Sequence, residues 1–156
     1  MARKSRSIIE TARPKYRVWR IAISIRLSKE DARCFDESES VTNQRKIIED
    51  HITEFNDGDE YMIVDEYVDD GISGTTDDER DDFQRMLSDI KRGRINCVIV
   101  KDLARSFRNY SDQGYYLDDW FPRYNVRFIS LFHQSLDSYK DPQNMRSIAV
   151  PIQGVL

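Results

Sequence analysis

Residues 18–27, VWRIAISIRL, carry Ile21, Ile23, Ile25 and Leu27 at every second position, the alternation of a strand with one apolar side. A polar stretch follows, and then Val41, Ile48, Ile52 and Phe55 recur at helical spacing, with Ser38 or Ser40 placed to cap that helix. The turn NDGD leads into YMIVDEYV (61–68), a second predicted strand. A long polar loop, DDGISGTTDDE (69–79), separates it from Phe83, Met86, Leu87 and Ile90. Those four form an i, i+3, i+4, i+7 stripe, which predicts a helix stopping near Gly93. INCVIV (95–100) is a continuous apolar run, as expected of a strand buried on both faces. Beyond the charged loop KDLARSFRN (101–109), Ser111 is placed to cap a helix that carries Tyr116, Leu117, Trp120 and Phe121 and ends at Pro122. VRFISLF (126–132) reads as a fourth strand, and NMRSIAVPIQGVL as the start of a further helix cut short.

Strands that alternate with helices imply right-handed crossovers. The expected fold is therefore α/β, a mostly parallel sheet of four to five strands flanked by helices. In open sheets of this kind the functional crevice lies beyond the carboxyl ends of the strands, at a topological switch point. The chemistry should sit just after residues 27, 68, 100 and 131.

The 156 residues, 39% of them hydrophobic, suit one compact domain, and no apolar run is long enough to span a membrane. No signal peptide precedes the first strand, so the expected compartment is the cytoplasm. Cys34 and Cys97 have neither disulfide-framework nor metal-ligand spacing, and Cys97 lies within an apolar run as a core residue. The net charge of −4 argues against a stand-alone DNA-binding module, because DNA affinity rests largely on neutralising phosphates. The charge is uneven, however. Residues 1–20 hold Arg3, Lys4, Arg6, Arg13, Lys15, Arg17 and Arg20 against the single acid Glu10, whereas residues 57–82 are strongly acidic. The basic start reads either as a solvated arm or as an auxiliary phosphate contact.

Two strand ends are chemically unusual. In Ser24-Ile25-Arg26-Leu27-Ser28 the period of two puts Ser24, Arg26 and Ser28 on one side and the aliphatic residues on the other. An arginine near the end of an apolar strand is costly unless it meets an anion or a carboxylate. After the third strand come Lys101, Arg105 and Arg108, the last two spaced so that one helical turn would aim both the same way. A hydroxyl among several guanidinium groups suits phosphoryl transfer, since arginine stays cationic and offers planar donor forks that match phosphate oxygens. Such a set can stabilise a pentacoordinate transition state with no metal or other cofactor. The plain alternative is that these arginines pair with the many surface acids.

The run from Ile23 to Ser28, the Gln44-Arg45 pair, DEYVDDGISGT (65–75), FQRML (83–87) and INCVIVKDLARSFRN (95–109) together resemble the catalytic domain of the serine recombinases, the resolvase/invertase family. The spacing is most similar to that of the large serine recombinases of mobile elements, over roughly residues 17–150. The resemblance implies a resolvase-like fold and a site-specific DNA recombinase acting in integration or excision. Ser28 would be the nucleophile, forming a 5′-phosphoserine linkage to DNA before strand exchange and religation. Arg26, Arg105 and Arg108 match the family's active-site arginines, Arg80 matches a further arginine, and Gln44 a polar helix residue of the site. Ser24 stands where many members have tyrosine, Ala104 where an aspartate or serine is usual, and Phe107 where glycine is common. Ala104 leaves open which group, if any, orients Arg105 or assists proton transfer.

The resemblance also implies DNA as partner, and homodimers that pair into tetramers through a long helix. The expected organisation is a basic flexible arm (1–16), the catalytic domain (17–143) and the start of a truncated oligomerisation helix (144–156). Without the DNA-binding region that normally follows, the fragment alone should be catalytically incompetent or nearly so.

Other readings weigh less. His51 and His133 lie outside the motifs and read as surface or packing residues, which disfavours a Ser-His-Asp hydrolase. No G-x-S-x-G or P-loop pattern occurs. The acidic cluster Asp69, Asp70, Asp77, Asp78, Asp81 and Asp82 raises a metal-dependent nuclease as a rival, although its spacing fits no known metal loop. A non-catalytic α/β module that binds a phosphorylated ligand is the rival from another class.

Overall fold

A computed structural model describes residues 16–27, 37–70, 81–107, 109–132 and 135–145. Ser28, Arg80, Arg108 and His133 lie outside the described residues, as do the side chains of Ala104 and Arg105.

The alternating apolar and polar segments fold as strands and helices in turn. The chain runs β1 (Val18–Leu27), α1 (Glu37–Thr53), β2 (Glu60–Asp70), α2 (Asp81–Lys91), β3 (Cys97–Asp102) and α3 (Leu103–Ser106). It continues through α4 (Tyr110–Gly114), a π-helical segment (Tyr115–Trp120), α5 (Phe121–Arg123), β4 (Arg127–Phe132) and β5 (Leu136–Asp137). The strands form one sheet in the order β2-β1-β3-β4-β5. The first four are parallel, and the short β5 runs antiparallel along β4. This is a doubly wound α/β sheet whose direction of winding reverses between β1 and β3.

The side-chain pattern explains why the sheet is covered on both faces. On β3, Cys97 and Ile99 pack into one core with Ile21, Ile23, Ile25 and Leu27 of β1, Ile129 of β4 and Ile48 of α1. Val98 and Val100, one position over, pack into a second core with Ala22, Tyr67, Phe128 and the α2 stripe of Phe83, Met86, Leu87 and Ile90. Each fully buried isoleucine contributes on the order of 2–3 kcal/mol of transfer free energy, so the continuous run on β3 supports both layers at once. Cys97 is wholly buried, and burial pushes its thiol pKa well up.

Several boundaries differ from the sequence expectation, each for a local reason. α1 begins at Glu37, so Ser38 and Ser40 lie inside the helix and do not cap it. The cap of α4 is Asn109, whose extended backbone lets its Oδ1 accept the Asp112 N–H at 2.8 Å, so Ser111 falls within the helix. Pro122 does not stop the chain at once. The π-helical segment ends with the Phe121 N–H bonded back to the Tyr116 carbonyl, a wider turn in which a proline ring is tolerated. The helix ends after Arg123, and Asn125 takes the left-handed conformation at φ 55°. Gly93, at φ 78°, stops α2 as expected, its N–H donating to the Ile90 carbonyl at 2.9 Å. Residues 142–145 form a helical turn, and the helix expected beyond it lies outside the described residues.

Candidate functional site

At the point where the winding reverses, beyond the carboxyl ends of β1 and β3, the structure opens a cavity of about 460 Å³. Ser24 and Arg26 of β1, Val100, Lys101 and Asp102 of β3, Gln44 and Ile47 of α1, Ser106 of α3 and Phe132 of β4 line it. The register shows how the strands build it. Ser24 is the partner of Tyr67 on one side and of Val100 on the other. Two residues further on, Arg26 is the partner of Asp69, and Asp102 is the partner of Phe132. Strand residues two apart share a face, so Arg26 follows Ser24 on one face of β1 and Asp102 follows Val100 on one face of β3. Ser24 and Arg26 take one face of β1 and Ile21, Ile23, Ile25 and Leu27 the other, as the period of two predicts.

The charged segment after Val100 does not begin as a loop. Lys101 and Asp102 extend β3, because the sheet keeps pairing with β4 as far as Asp102 and Phe132, and α3 begins at Leu103. The Ser106 hydroxyl donates to the Asp102 carbonyl at 2.7 Å and ties this short helix to the strand end. The backbone of Arg105 therefore lies in α3, one residue before Ser106. The Lys101 ammonium lies 5.9 Å from the centre of the Phe132 ring.

The Gln44-Arg45 pair divides between two tasks. Gln44 is buried at the cavity wall, and its Nε2 donates to the Ser40 hydroxyl at 3.4 Å. Arg45 turns to β2 and makes a two-pronged contact with Glu66, its Nη2 to Oε1 distance being 2.7 Å. The hydrogen bond that Arg45 donates to Glu66 and the charge of that carboxylate raise the Arg45 pKa. Lys101 was singled out with the arginines of its segment, whereas Asp102, Ser106, Ile47 and Phe132 were missed. For Asp102 a signal existed: it continues the alternation of Val98 and Val100 by two residues.

Of the sequence-predicted residues, the structure brings Arg26 and Gln44 to one cavity and carries the backbone of Arg105 into the helix at its edge. Ser28, the residue after Leu27 at the end of β1, lies outside the described residues, as do Arg80 and Arg108. His51 of α1 packs edge-on against Phe55 with ring centres 5.1 Å apart, a packing histidine. Among the described residues, no cluster of three or more His, Cys, Asp or Glu is placed to hold a metal ion. Asp77 and Asp78 of the acidic stretch are not among them. No described helix is long and apolar enough to cross a membrane.

The family model for the resolvase N-terminal domain matches residues 21–156. Among solved structures, the chain is similar to the N-terminal catalytic domain of TP901-1 integrase, with a TM-score of 0.64 and 25% identity over 87% of this chain and 98% of that one. It is similar also to a resolvase family site-specific recombinase from Streptococcus pneumoniae, with a TM-score of 0.63 and 26% identity over 89% and 87% of the two chains. The C-terminal catalytic domain of ISC1926 TnpA, an IS607-like serine recombinase, shares the fold at a TM-score of 0.56 and 18% identity, over 84% and 78%. No curated protein matches the chain.

Proposed function

The chain belongs to the resolvase N-terminal domain family, and from that premise we propose that it is the catalytic domain of a site-specific DNA recombinase that cuts and rejoins DNA through Ser28. The observation that carries the reading is the switch-point cavity, in which Arg26 and Lys101 supply positive charge and Gln44 an amide beside the end of β1.

The Ser28 hydroxyl attacks a DNA phosphorus, the bond to the 3′ oxygen breaks, and the 5′ phosphate stays on serine. The reverse attack by a 3′ hydroxyl of the exchanged strand releases Ser28. The number of phosphoester bonds is constant, so the sequence of steps needs no ATP. Arg26, Arg105, Arg108 and Arg80 stabilise the charge that builds on the phosphoryl oxygens in the transition state, and Gln44 adds a neutral donor. Guanidinium groups near the serine also favour its alkoxide.

In this reading residues 17–143 are the catalytic domain, residues 1–16 a basic arm and residues 144–156 the start of an oligomerisation helix. Dimers of the full-length protein pair into tetramers on DNA. A net charge of −4 leaves the bulk of phosphate neutralisation to a separate DNA-binding region.

The deciding experiment incubates the full-length protein with a supercoiled plasmid bearing the joined ends of the element that carries its gene, quenches with denaturant and looks for a protein–DNA adduct. The expected result is an adduct mapped to Ser28 and absent in Ser28→Ala. An adduct on another residue, or cleavage by Ser28→Ala, would refute the assignment.

A further inference from the structure

We propose that the pole of the sheet opposite the catalytic cavity is a second, sequence-independent contact for DNA, in which Arg17, Arg20, Lys91 and Arg92 meet the phosphate backbone. Only the choice of DNA as the polyanion rests on the recombinase reading; the surface itself does not.

β1 and β3 are parallel, so their first residues share one end of the sheet. The turn after α2 is held there. The Arg20 Nη2 donates to the Gly93 carbonyl at 3.2 Å, and the Asn96 side chain accepts the Arg20 N–H at 2.7 Å and donates to the Val18 carbonyl at 3.1 Å. Arg17, Lys91 and Arg92 are exposed, and Arg20 is half-buried. Beside them opens a cleft of about 720 Å³, lined by Arg17, Arg20 and Asn96 and by the exposed tyrosines Tyr124 and Tyr139.

The charge of this pole is unmatched from within the chain. Arg45, Arg85, Arg94, Arg123, Arg127 and Lys140 each meet a carboxylate. Among the described residues, Arg17, Arg20, Lys91 and Arg92 have no such partner. Acids are not scarce, since the chain has 28 against 24 Lys and Arg. Those at this pole are engaged. Asp59 accepts the Arg17 N–H at 2.8 Å and the Trp19 indole N–H at 3.0 Å, and the buried Asp89 accepts from Tyr67 and Arg94. Positive charge at Lys91 and Arg92 also suits the carboxyl end of α2, but that leaves Arg17 and Arg20 unexplained. Unpaired cations gathered beside exposed tyrosines match what a phosphate backbone offers. The acidic stretch of a second copy is a poorer partner, because Asp57, Asp65, Glu66, Asp69 and Asp82 already bond within their own chain.

The ten residues of β1, at about 3.3 Å each, put this pole about 30 Å from the cavity. It therefore holds a stretch of DNA other than the one at Ser28.

Anisotropy of a labelled duplex of arbitrary sequence, titrated with the 156-residue chain between about 50 and 200 mM salt, reads the contact without cleavage. Lys91→Gln with Arg92→Gln should make the slope of log affinity against log salt shallower by about 2, and Arg17→Gln by about 1 more. Lys46→Gln, an exposed charge on α1, should leave the slope unchanged. No binding by the wild-type chain, a slope that the double variant does not alter, or an equal loss per charge in Lys46→Gln overturns the proposal. So does self-association in sedimentation that the double variant abolishes with DNA binding intact, which would make the pole an interface between copies. A full-length protein that forms no Ser28 adduct sinks the recombinase reading instead, and the salt slope still decides on the pole.

Discussion

Asp82 and Asp69 clasp the two ends of the acidic stretch. The Asp82 carboxylate accepts the Val68 N–H at 2.9 Å, while the Asp82 N–H donates to the Asp69 carboxylate at 3.2 Å. One bond serves the edge of the sheet, and the other satisfies a donor of the first turn of α2 that has no partner within the helix. Arg85 reinforces the clasp, with 3.5 Å from its Nε to Asp82 and 2.7 Å from its Nη1 to Asp65. In this part of the acidic stretch the carboxylates hold backbone.

Replacing Asp82 by alanine should therefore lower stability by about 1–2 kcal/mol, the usual cost of leaving a backbone donor, here the Val68 N–H, without its acceptor. Urea unfolding would measure it, and hydrogen exchange at the Val68 amide should quicken in the variant. Unchanged exchange at Val68 would show that the clasp does not form in solution.

A larger effect is expected at Arg127. Its side chain is 1% exposed, pairs with Asp137 at 2.7 Å and lies among Trp19, Phe55, Tyr61 and Tyr139, with its guanidinium carbon 4.7–5.7 Å from their ring centres. Burial alone would lower its pKa, and the bonds to Asp137 and Tyr61 raise it above the ordinary value. Asp137→Ala leaves that charge buried and unmatched and should cost about 3–5 kcal/mol. Arg127→Met with Asp137→Leu should recover much of the loss. Thermal unfolding of the three chains tests both statements, and a mild effect from Asp137→Ala alone would contradict them.

Acid should weaken the same corner. Burial would raise the Asp57 pKa, but hydrogen bonds from Tyr61 and Lys140 outweigh it and hold the carboxyl at about 2. The folded value lies below the unfolded one near 3.9, so this contribution is complete above about pH 4 and is lost as pH falls toward 2. Asp57→Asn should flatten stability across that window, read from urea midpoints at successive pH values. An equal slope in the variant would assign the acid sensitivity elsewhere.

At the proposed active site, Arg26→Lys and Arg108→Lys keep the charge and lose the planar fork. Each should slow cleavage by the full-length protein about 100-fold or more, with DNA binding in a gel shift at the same salt little changed. Wild-type cleavage rates in both would make these arginines surface charges.

Cleavage should also persist in excess EDTA, because the arginines can carry the transition-state charge. Loss of cleavage in EDTA and its return with Mg²⁺ would favour a nuclease built on the acidic stretch.

The α/β alternation was readable because each strand is either a period-two run or a continuous apolar one, and the α2 stripe has an unbroken helical period. Arg26 and Ser24 were legible for the same reason, since a polar side on an apolar strand has few explanations. Residues 101–109 misled because their charge mimics a loop. Only the pairing of Asp102 with Phe132 carries the sheet on through Lys101 and Asp102, and a partner strand 30 residues away leaves no local trace. The pairing of Arg26 with Asp69 was hidden in the same way, because register belongs to the sheet and not to any one segment. Nothing local marks Arg127 as half of a buried ion pair, because its carboxylate partner on β5 belongs to a two-residue strand too short to announce itself.

The burial of Cys97 gives the molecule an internal clock. Its sulfur lies at the centre of the sheet, level with Ile21 on β1 and Arg127 on β4, and is wholly closed to solvent. An alkylating reagent reaches it only when β3 parts from a neighbour or the core above it lifts. The rate at which that thiol is consumed therefore counts openings of the two central strands that frame the cavity. Ligands that grip the cavity should slow it, whether or not any chemistry follows.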